Sequence, residues 1–128
     1  MSAYTTLAKF KTRLGASATD PIGIYDQITD RVTARVANDT VGQELVDAGA
    51  AEINGRLSRR YLTPIDVSVD AALAGTLEEF NLVISEYKGY ALHPAKPRIL
   101  DRVSAAYRST IEQLDAIAAG DSALPGAA

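Results

Sequence analysis

Apolar residues recur at helical spacing along most of this chain. Near the N-terminus, Leu7, Phe10 and Leu14 follow one another at intervals of three and four residues, which places them on one side of a helix. A threonine at position 5 or 6 is placed to cap the free backbone N–H groups. The pattern therefore predicts a first helix from Thr5 to Leu14.

The next segment gives a mixed signal. Asp20-Pro21 is typical of a helix start and predicts a short second helix that includes Ile24 and Ile28. From Arg31 to Asn38, the apolar residues fit both the alternation of a strand and the spacing of a helix. We expect an irregular loop with a short extended piece there.

Three longer segments carry the main helix-packing signal. The first begins at Asp39 or Thr40 and is ended by Pro64, the second runs from about Ser68 to Ala91, and the third from Pro97 to a stop at Gly120. Their predicted core positions include Leu45, Ile53, Leu57, Leu73, Leu77, Phe80, Ile84, Val103, Leu114 and Ile117.

Two glycines lie inside the first of these long helices. Gly49 and Gly55 each weaken a helix by about 1 kcal/mol relative to alanine. We expect a neighbouring element to approach closely where this cost is accepted.

The pattern as a whole predicts one all-α domain over residues 1–120, a small bundle of three long and two short helices. Residues 121–128 lack periodicity and include Pro125 and Gly126. We expect these last residues to form a flexible C-terminal tail.

Composition narrows the function classes. The chain has 128 residues, no cysteine, a net charge of −3 and a pI near 5.1. Disulfides and thiolate metal sites are excluded, and the acidic balance argues against a dedicated duplex-DNA binder. The apolar runs are only a few residues long, so we expect no membrane span.

No motif in the chain indicates catalysis. A Gly-rich phosphate loop, calcium-loop spacing and a carboxylate pair suited to acid–base work are all missing from the sequence. The single histidine, His93, lies in a Pro-rich turn between helices, where packing in a loop is the simpler interpretation. We therefore expect a protein that is not an enzyme and holds no cofactor or metal.

Charge is distributed unevenly along the chain. Arg56, Arg59 and Arg60 cluster at the end of the long central helix. They follow an acidic stretch whose residues include Asp30, Asp39, Glu44 and Asp47. The arginines fit a favourable interaction with the helix C-terminus, a patch for an acidic protein partner or for passing DNA, or head-to-tail contact between identical subunits. A solvated charged face is the remaining alternative.

Several stretches resemble the head–tail adaptor, or neck, family of Mu-like tailed phages. The similarity is strongest over Ala50–Leu57, which reads AAEINGRL, and over Arg60–Ile65, which reads RYLTPI. The opening helix from Tyr4 to Gly15, the stretch Ile28–Arg31 and the closing segment Leu114–Gly120 are also similar to this family. In order and spacing, these pieces cover nearly the whole chain.

The resemblance implies a structural connector that forms a ring of about twelve subunits below the portal. Such a ring extends the DNA channel without specific DNA binding and docks the next neck or tail-completion protein. The implied location is the neck of a phage or gene transfer particle, made in the bacterial cytoplasm. The implied portal-docking tail comprises Asp121, Ser122, Ala123, Leu124, Pro125, Gly126, Ala127 and Ala128. Alternatives are another virion role, such as tail completion, or a small regulatory or DNA-binding protein.

Overall fold

Four helices and a short hairpin form the described part of the protein. The computed structural model describes residues 3–16, 24–26, 31–33, 39–68, 70–91, 101–121 and 124. In chain order, the elements are α1 (Leu7–Ala16), β1 (Ile24–Asp26), β2 (Arg31–Thr33), α2 (Asp39–Leu57), α3 (Ala71–Ala91) and α4 (Asp101–Ala119).

The three long helices α2, α3 and α4 pack against one another in all three pairs, and α1 lies against α2 and α3. The predicted all-α bundle with three long helices is therefore confirmed. All ten predicted core positions of the long helices are buried. Phe10 of α1 is fully buried as well, while the side chain of Leu14 lies outside the described residues.

Capping side chains explain where two helices begin. The hydroxyl of Thr6 accepts a hydrogen bond from the backbone N–H of Lys9 at 3.2 Å, so α1 begins at Leu7. The carboxylate of Asp70 accepts one from the N–H of Leu73 at 3.0 Å. This cap places the start of α3 at Ala71, a few residues later than the apolar spacing predicts.

The predicted second short helix is wrong. Ile24–Asp26 forms a strand that pairs antiparallel with Arg31–Thr33, with Tyr25 opposite Val32. β-branched and aromatic side chains favour a pleated surface, and cross-strand pairing outweighed the helix-start signal of Asp20-Pro21. The predicted short extended piece is confirmed as β2, and β1 contacts α2.

The contact between α2 and α3 is closest at Gly49. A Cβ atom at this position would lie 2.7 Å from both the Asn81 side-chain nitrogen and the Ser85 hydroxyl. These two side chains are fully buried and reach back to α2. Asn81 donates to the Val46 carbonyl at 3.1 Å. The Ser85 hydroxyl, which has one proton to donate, is 3.1 Å from the Leu45 carbonyl of α2 and 2.7 Å from the Asn81 carbonyl of its own helix. The close approach expected at Gly49 is therefore confirmed.

The same expectation is wrong at Gly55. This residue is exposed, and a Cβ atom there would meet nothing within 4 Å. The fold of the described residues thus gives no packing reason for a glycine at this position.

Tyr4 joins the N-terminal segment to the contact between α2 and α3. Its backbone N–H donates to the Asn81 side-chain oxygen at 3.0 Å. Its hydroxyl donates to the Asn54 side-chain oxygen and accepts the N–H of Ile65 at 2.8 Å. One aromatic residue therefore connects α2, α3 and the loop between them.

The end of α4 is fixed by backbone hydrogen bonds. Gly120, with φ of 89°, donates to the Ile117 carbonyl, and Asp121 donates to the Ala116 carbonyl at 2.9 Å. This pair of bonds forms a Schellman cap, and the predicted stop at Gly120 is confirmed.

Leu124 departs from the prediction of a free tail. Although it lies outside any helix, it is only 3% exposed and belongs to the same core cluster as Ile53, Leu77 and Leu114. Burial of its apolar side chain offsets the entropy cost of ordering the chain at this point. The chain is therefore anchored to the bundle at Leu124.

Gly49→Ala should lower the free energy of unfolding by about 1–3 kcal/mol, because the added methyl group displaces two hydrogen-bonded side chains. Gly55→Ala is the matched control. It should raise the free energy of unfolding by up to about 1 kcal/mol, because alanine favours the helix and meets no neighbour. Urea unfolding followed by circular dichroism measures both. Equal effects of the two substitutions would contradict the close approach at Gly49.

Candidate functional site

A cluster of polar side chains around Glu52 joins α2, α3 and α4. One carboxylate oxygen of Glu52 accepts the hydroxyl of Tyr107 at 3.0 Å, and the other lies 3.0 Å from the Lys88 amine. Arg56, one turn further along α2, approaches Glu52 at 3.7 Å. Each of the three long helices thus contributes a charged or polar side chain to one centre.

Arg56 connects this cluster to Asp115 on the exposed face of α4. Its guanidinium donates to Asp115 at 2.7 Å. Burial by itself lowers the pKa of Arg56, but the hydrogen bond and charge of Asp115, with the charge of Glu52, outweigh it and raise the pKa. Arg56 therefore stays charged and forms a bridge between two acids on different helices.

Tyr107 is held as a neutral donor. Burial and the hydrogen bond and charge of Glu52 raise its pKa to about 12. Its ring stacks on that of Tyr87, with centroids 3.9 Å apart and planes within 7°. A phenol in this state donates a hydrogen bond at neutral pH and does not act as a base.

A second ionic cluster joins α1, α3 and α4. The side chain of Glu86 is 3% exposed and lies 3.1 Å from Arg13 and 3.5 Å from Arg102. Arg13 also pairs with Glu79 at 3.1 Å, and Lys9 pairs with Glu78 at 2.7 Å. In both clusters, most of the charge is neutralised by partners within the chain, which favours a role in holding the helices together.

The predicted arginine patch is divided by the structure. Arg56 is engaged as described above. Arg60 donates to the Ile117 carbonyl near the end of α4 at 2.8 Å and lies 5.2 Å from the centre of the Tyr61 ring. The predicted cation at the end of the central helix is therefore found, since Arg56 lies in the last turn of α2. Arg60 lies beyond that helix and binds near the end of α4 instead. Arg59 is exposed.

Of the four predicted acidic residues, the structure describes the side chains of Glu44 and Asp47. Glu44 is exposed, and Asp47 accepts a hydrogen bond from Gln43 on the outside of α2 at 3.0 Å. Asp39 is the first residue of α2, but its side chain lies outside the described residues, as does the whole of Asp30.

Several other predicted residues also lie outside the described part. They are His93, Ser122, Ala123, Pro125, Gly126, Ala127 and Ala128. Of the predicted docking tail, the structure describes only Asp121, which is exposed, and the buried Leu124.

A surface groove lies between α3 and α4. This α3–α4 groove has Phe80 and Val83 in its floor. Its walls are formed by Ala72, Gly75, Thr76, Glu79, Ala106, Ser109, Thr110 and Gln113. Most of these side chains are small, so the groove is a shallow trough with an apolar floor, of the kind that receives a protein segment.

The described residues contain neither a cluster of metal ligands nor a membrane-spanning helix. No three acidic or histidine side chains in this part of the chain come together as metal ligands would. None of its helices combines the length and apolar character needed to cross a membrane.

Sequence reasoning missed the polar centres. Nothing in the spacing of Glu52, Lys88 and Tyr107 shows that they meet, because their contact depends on how three helices pack. The one usable signal was Gly49, since a glycine inside a helix indicates a close neighbour.

The described residues form a small all-α bundle in which the buried Glu86 is paired with arginines and a groove lies between α3 and α4. The family model described as "Bacteriophage Mu, Gp36" matches residues 4–128. The chain therefore belongs to this family of bacteriophage proteins. A comparison with individually curated proteins finds no significant match.

The polar centre makes a testable prediction for alkaline pH. Tyr107 ionises near 12 in the folded protein and at about 10 in the unfolded chain. The unfolded chain therefore binds fewer protons between these values. The contribution of Tyr107 to stability is present below pH about 10 and is lost as the pH rises towards 12.

Glu52→Gln should lower the pKa of Tyr107, because it removes the acceptor charge that holds the proton. Phenolate absorbance during alkaline titration measures this, and Tyr107→Phe identifies which step belongs to Tyr107. Asp115→Asn is the control, since that carboxylate has no hydrogen bond to Tyr107. An unchanged titration in Glu52→Gln would show that Glu52 does not hold the phenol proton.

Proposed function

We propose that this protein is a structural head–tail adaptor of a tailed phage or phage-derived particle. Copies form a ring beneath the portal, extend the DNA channel and dock the next neck or tail-completion protein. The observation that carries the proposal is the match to the bacteriophage Mu Gp36 family over residues 4–128. Because the match spans nearly the whole chain, the role belongs to the entire domain.

The described structure supports a non-catalytic role. The half-buried Glu52 and the buried Glu86 are engaged with cations on other helices, so they stabilise the contacts between helices. The α3–α4 groove is a shallow trough with mostly small side chains in its walls. Such a surface favours contact with another protein chain over binding of a small charged substrate.

The charge balance is consistent with a DNA conduit. A subunit with a net charge of −3 repels the phosphate backbone on average, which lets DNA pass without adhering to the wall. The partners in this proposal are further copies of the chain, the portal protein and the next neck or tail-completion protein.

Disrupting the gene in a producing host should leave filled heads and free tails that fail to join. Electron microscopy of the lysate measures this, and expression of the intact gene in trans should restore joined particles. Normal joined particles without the protein would reject the adaptor role. Separate heads and tails, with tails whose ends are abnormal in shape, would favour a tail-completion role instead.

The tail makes a separate prediction. Truncation after Leu124 removes only Pro125–Ala128, so it should preserve the melting temperature and weaken binding to purified portal protein. Truncation after Gly120 also removes the buried Leu124 and should cost about 2–5 kcal/mol of stability, as for loss of a core leucine. Calorimetry and pull-down of the portal separate the two effects. Unimpaired portal binding by the shorter truncation would remove the last four residues from the mechanism.

A further inference from the structure

Two exposed features lie on opposite sides of the bundle. The α3–α4 groove is lined from α3 by Ala72, Gly75 and Glu79. Asn81 and Ser85, which bond α2, lie on the other side of α3. The groove is therefore turned away from α2.

The second feature is an outer ridge along α2 and the turn after it. Its members are all exposed: Ala48, Ala51, Gly55, Arg59 and Leu62. They are opposite the buried face of α2 formed by Val46, Ala50, Ile53 and Leu57. The groove and the outer ridge thus face away from each other across the molecule.

Leu62 is the most unusual residue of the outer ridge. It is 94% exposed and is the sole large apolar side chain so exposed within the described residues. Its position is fixed, because Tyr61 bonds back to the Leu57 carbonyl at 2.9 Å and Ile65 bonds to Tyr4 at 2.8 Å. Because the loop is already fixed, a partner that covers the exposed Leu62 would cost little conformational entropy on binding.

Two helix glycines have no packing reason among the residues that the structure describes. Added Cβ atoms at Gly55 in the outer ridge and at Gly75 in the groove would meet nothing within 4 Å. Each glycine costs about 1 kcal/mol of helix stability relative to alanine. Close approach by another molecule at both positions would account for this cost.

One parallel alignment places similar or complementary residues of the outer ridge and the groove opposite each other. The ridge residues Gly55, Arg59 and Leu62 are spaced by four and three positions. On α3, Gly75 and Glu79 are four apart and lead to Val83 in the groove floor. In a parallel alignment, Gly55 would lie against Gly75, Arg59 near Glu79 and Leu62 near the groove floor. The Glu79 side chain is 57% exposed and already pairs with Arg13 of its own chain, so it would be shared between two arginines.

We propose that the outer ridge of one copy docks in the α3–α4 groove of the next copy. This inference rests on the proposed ring, and it names the surfaces that join its subunits. Arg59 and Glu79 set the orientation of the contact more than its strength. Leu62 and the two glycines supply burial and close approach.

Contact between opposite faces leads to closed rings or open chains. A ridge that meets a groove on a different face is a heterologous contact, which repeats from subunit to subunit and closes when the rotation allows. A contact of one face with itself would stop at a dimer. The placement of the two features therefore fits the ring that the adaptor role requires.

The lack of native cysteine allows a direct test. Gly55→Cys combined with Gly75→Cys adds one thiol to each surface, at positions where neither added side chain displaces a neighbour. A disulfide requires Cα atoms within about 7 Å. Mild oxidation of concentrated protein should give a ladder of dimers, trimers and larger species on non-reducing gels.

Matched variants decide the outcome. Gly55→Cys with Ala8→Cys keeps the ridge thiol and moves the other to an exposed site on α1, so the ladder should largely disappear. Leu62→Asp in the Gly55→Cys, Gly75→Cys background should also suppress it without lowering the melting temperature, since Leu62 is almost fully exposed. A ladder equal in all three proteins, or absent from all three, would overturn the proposed contact.

The same variant separates this proposal from the adaptor role. Particles from a host that produces the Gly55→Cys, Gly75→Cys protein are purified and oxidised. Protein that is present in joined particles but does not cross-link would reject the contact and leave the adaptor role intact. Absence of the protein from joined particles would reject the adaptor role. The cross-linked ladder in solution would then still test the contact between ridge and groove.

Discussion

The close contact of α2 with α3 at Gly49 is the constraint on which the rest of this structure depends. With no side chain at this position, Asn81 and Ser85 reach the backbone carbonyls of Val46 and Leu45. Both polar side chains are fully buried, where an unpaired hydrogen-bonding group would cost about 1–3 kcal/mol. Their bonds therefore fix how the two helices sit along each other, which apolar contacts alone specify less sharply.

That fixed alignment determines where the charges meet. Once α2 and α3 are set, Glu52 lies beside Lys88, and α4 packs so that Tyr107 reaches the same carboxylate. Glu86 does the same for α1 and α4 through Arg13 and Arg102. Several charged residues of the described part thus stabilise the contacts between helices. The outer ridge and the α3–α4 groove remain exposed, and each combines small apolar residues with a few polar ones.

The sequence predicted the helical class, the three long helices and their buried faces, because apolar spacing at intervals of three and four depends only on local geometry. It failed at Ile24–Asp26, where a strand forms only because a partner strand lies beside it. It also grouped Arg56, Arg59 and Arg60 without showing their partners. Arg56 binds Asp115 from within α2, and the turn after α2 brings Arg60 to the Ile117 carbonyl. The strand and these partners depend on contacts between residues that are distant in sequence.

The anchoring of Leu124 changes how the tail is best understood. A segment that hangs freely from Gly120 would search a large volume and lose much entropy on docking. Because Leu124 is buried in the main core, the chain is fixed again at this residue. In the proposed ring, every subunit would then present the residues after Leu124 from the same point on its bundle. A regular set of short segments, each weak alone, binds a symmetric partner with high avidity because the others remain nearby when one is released.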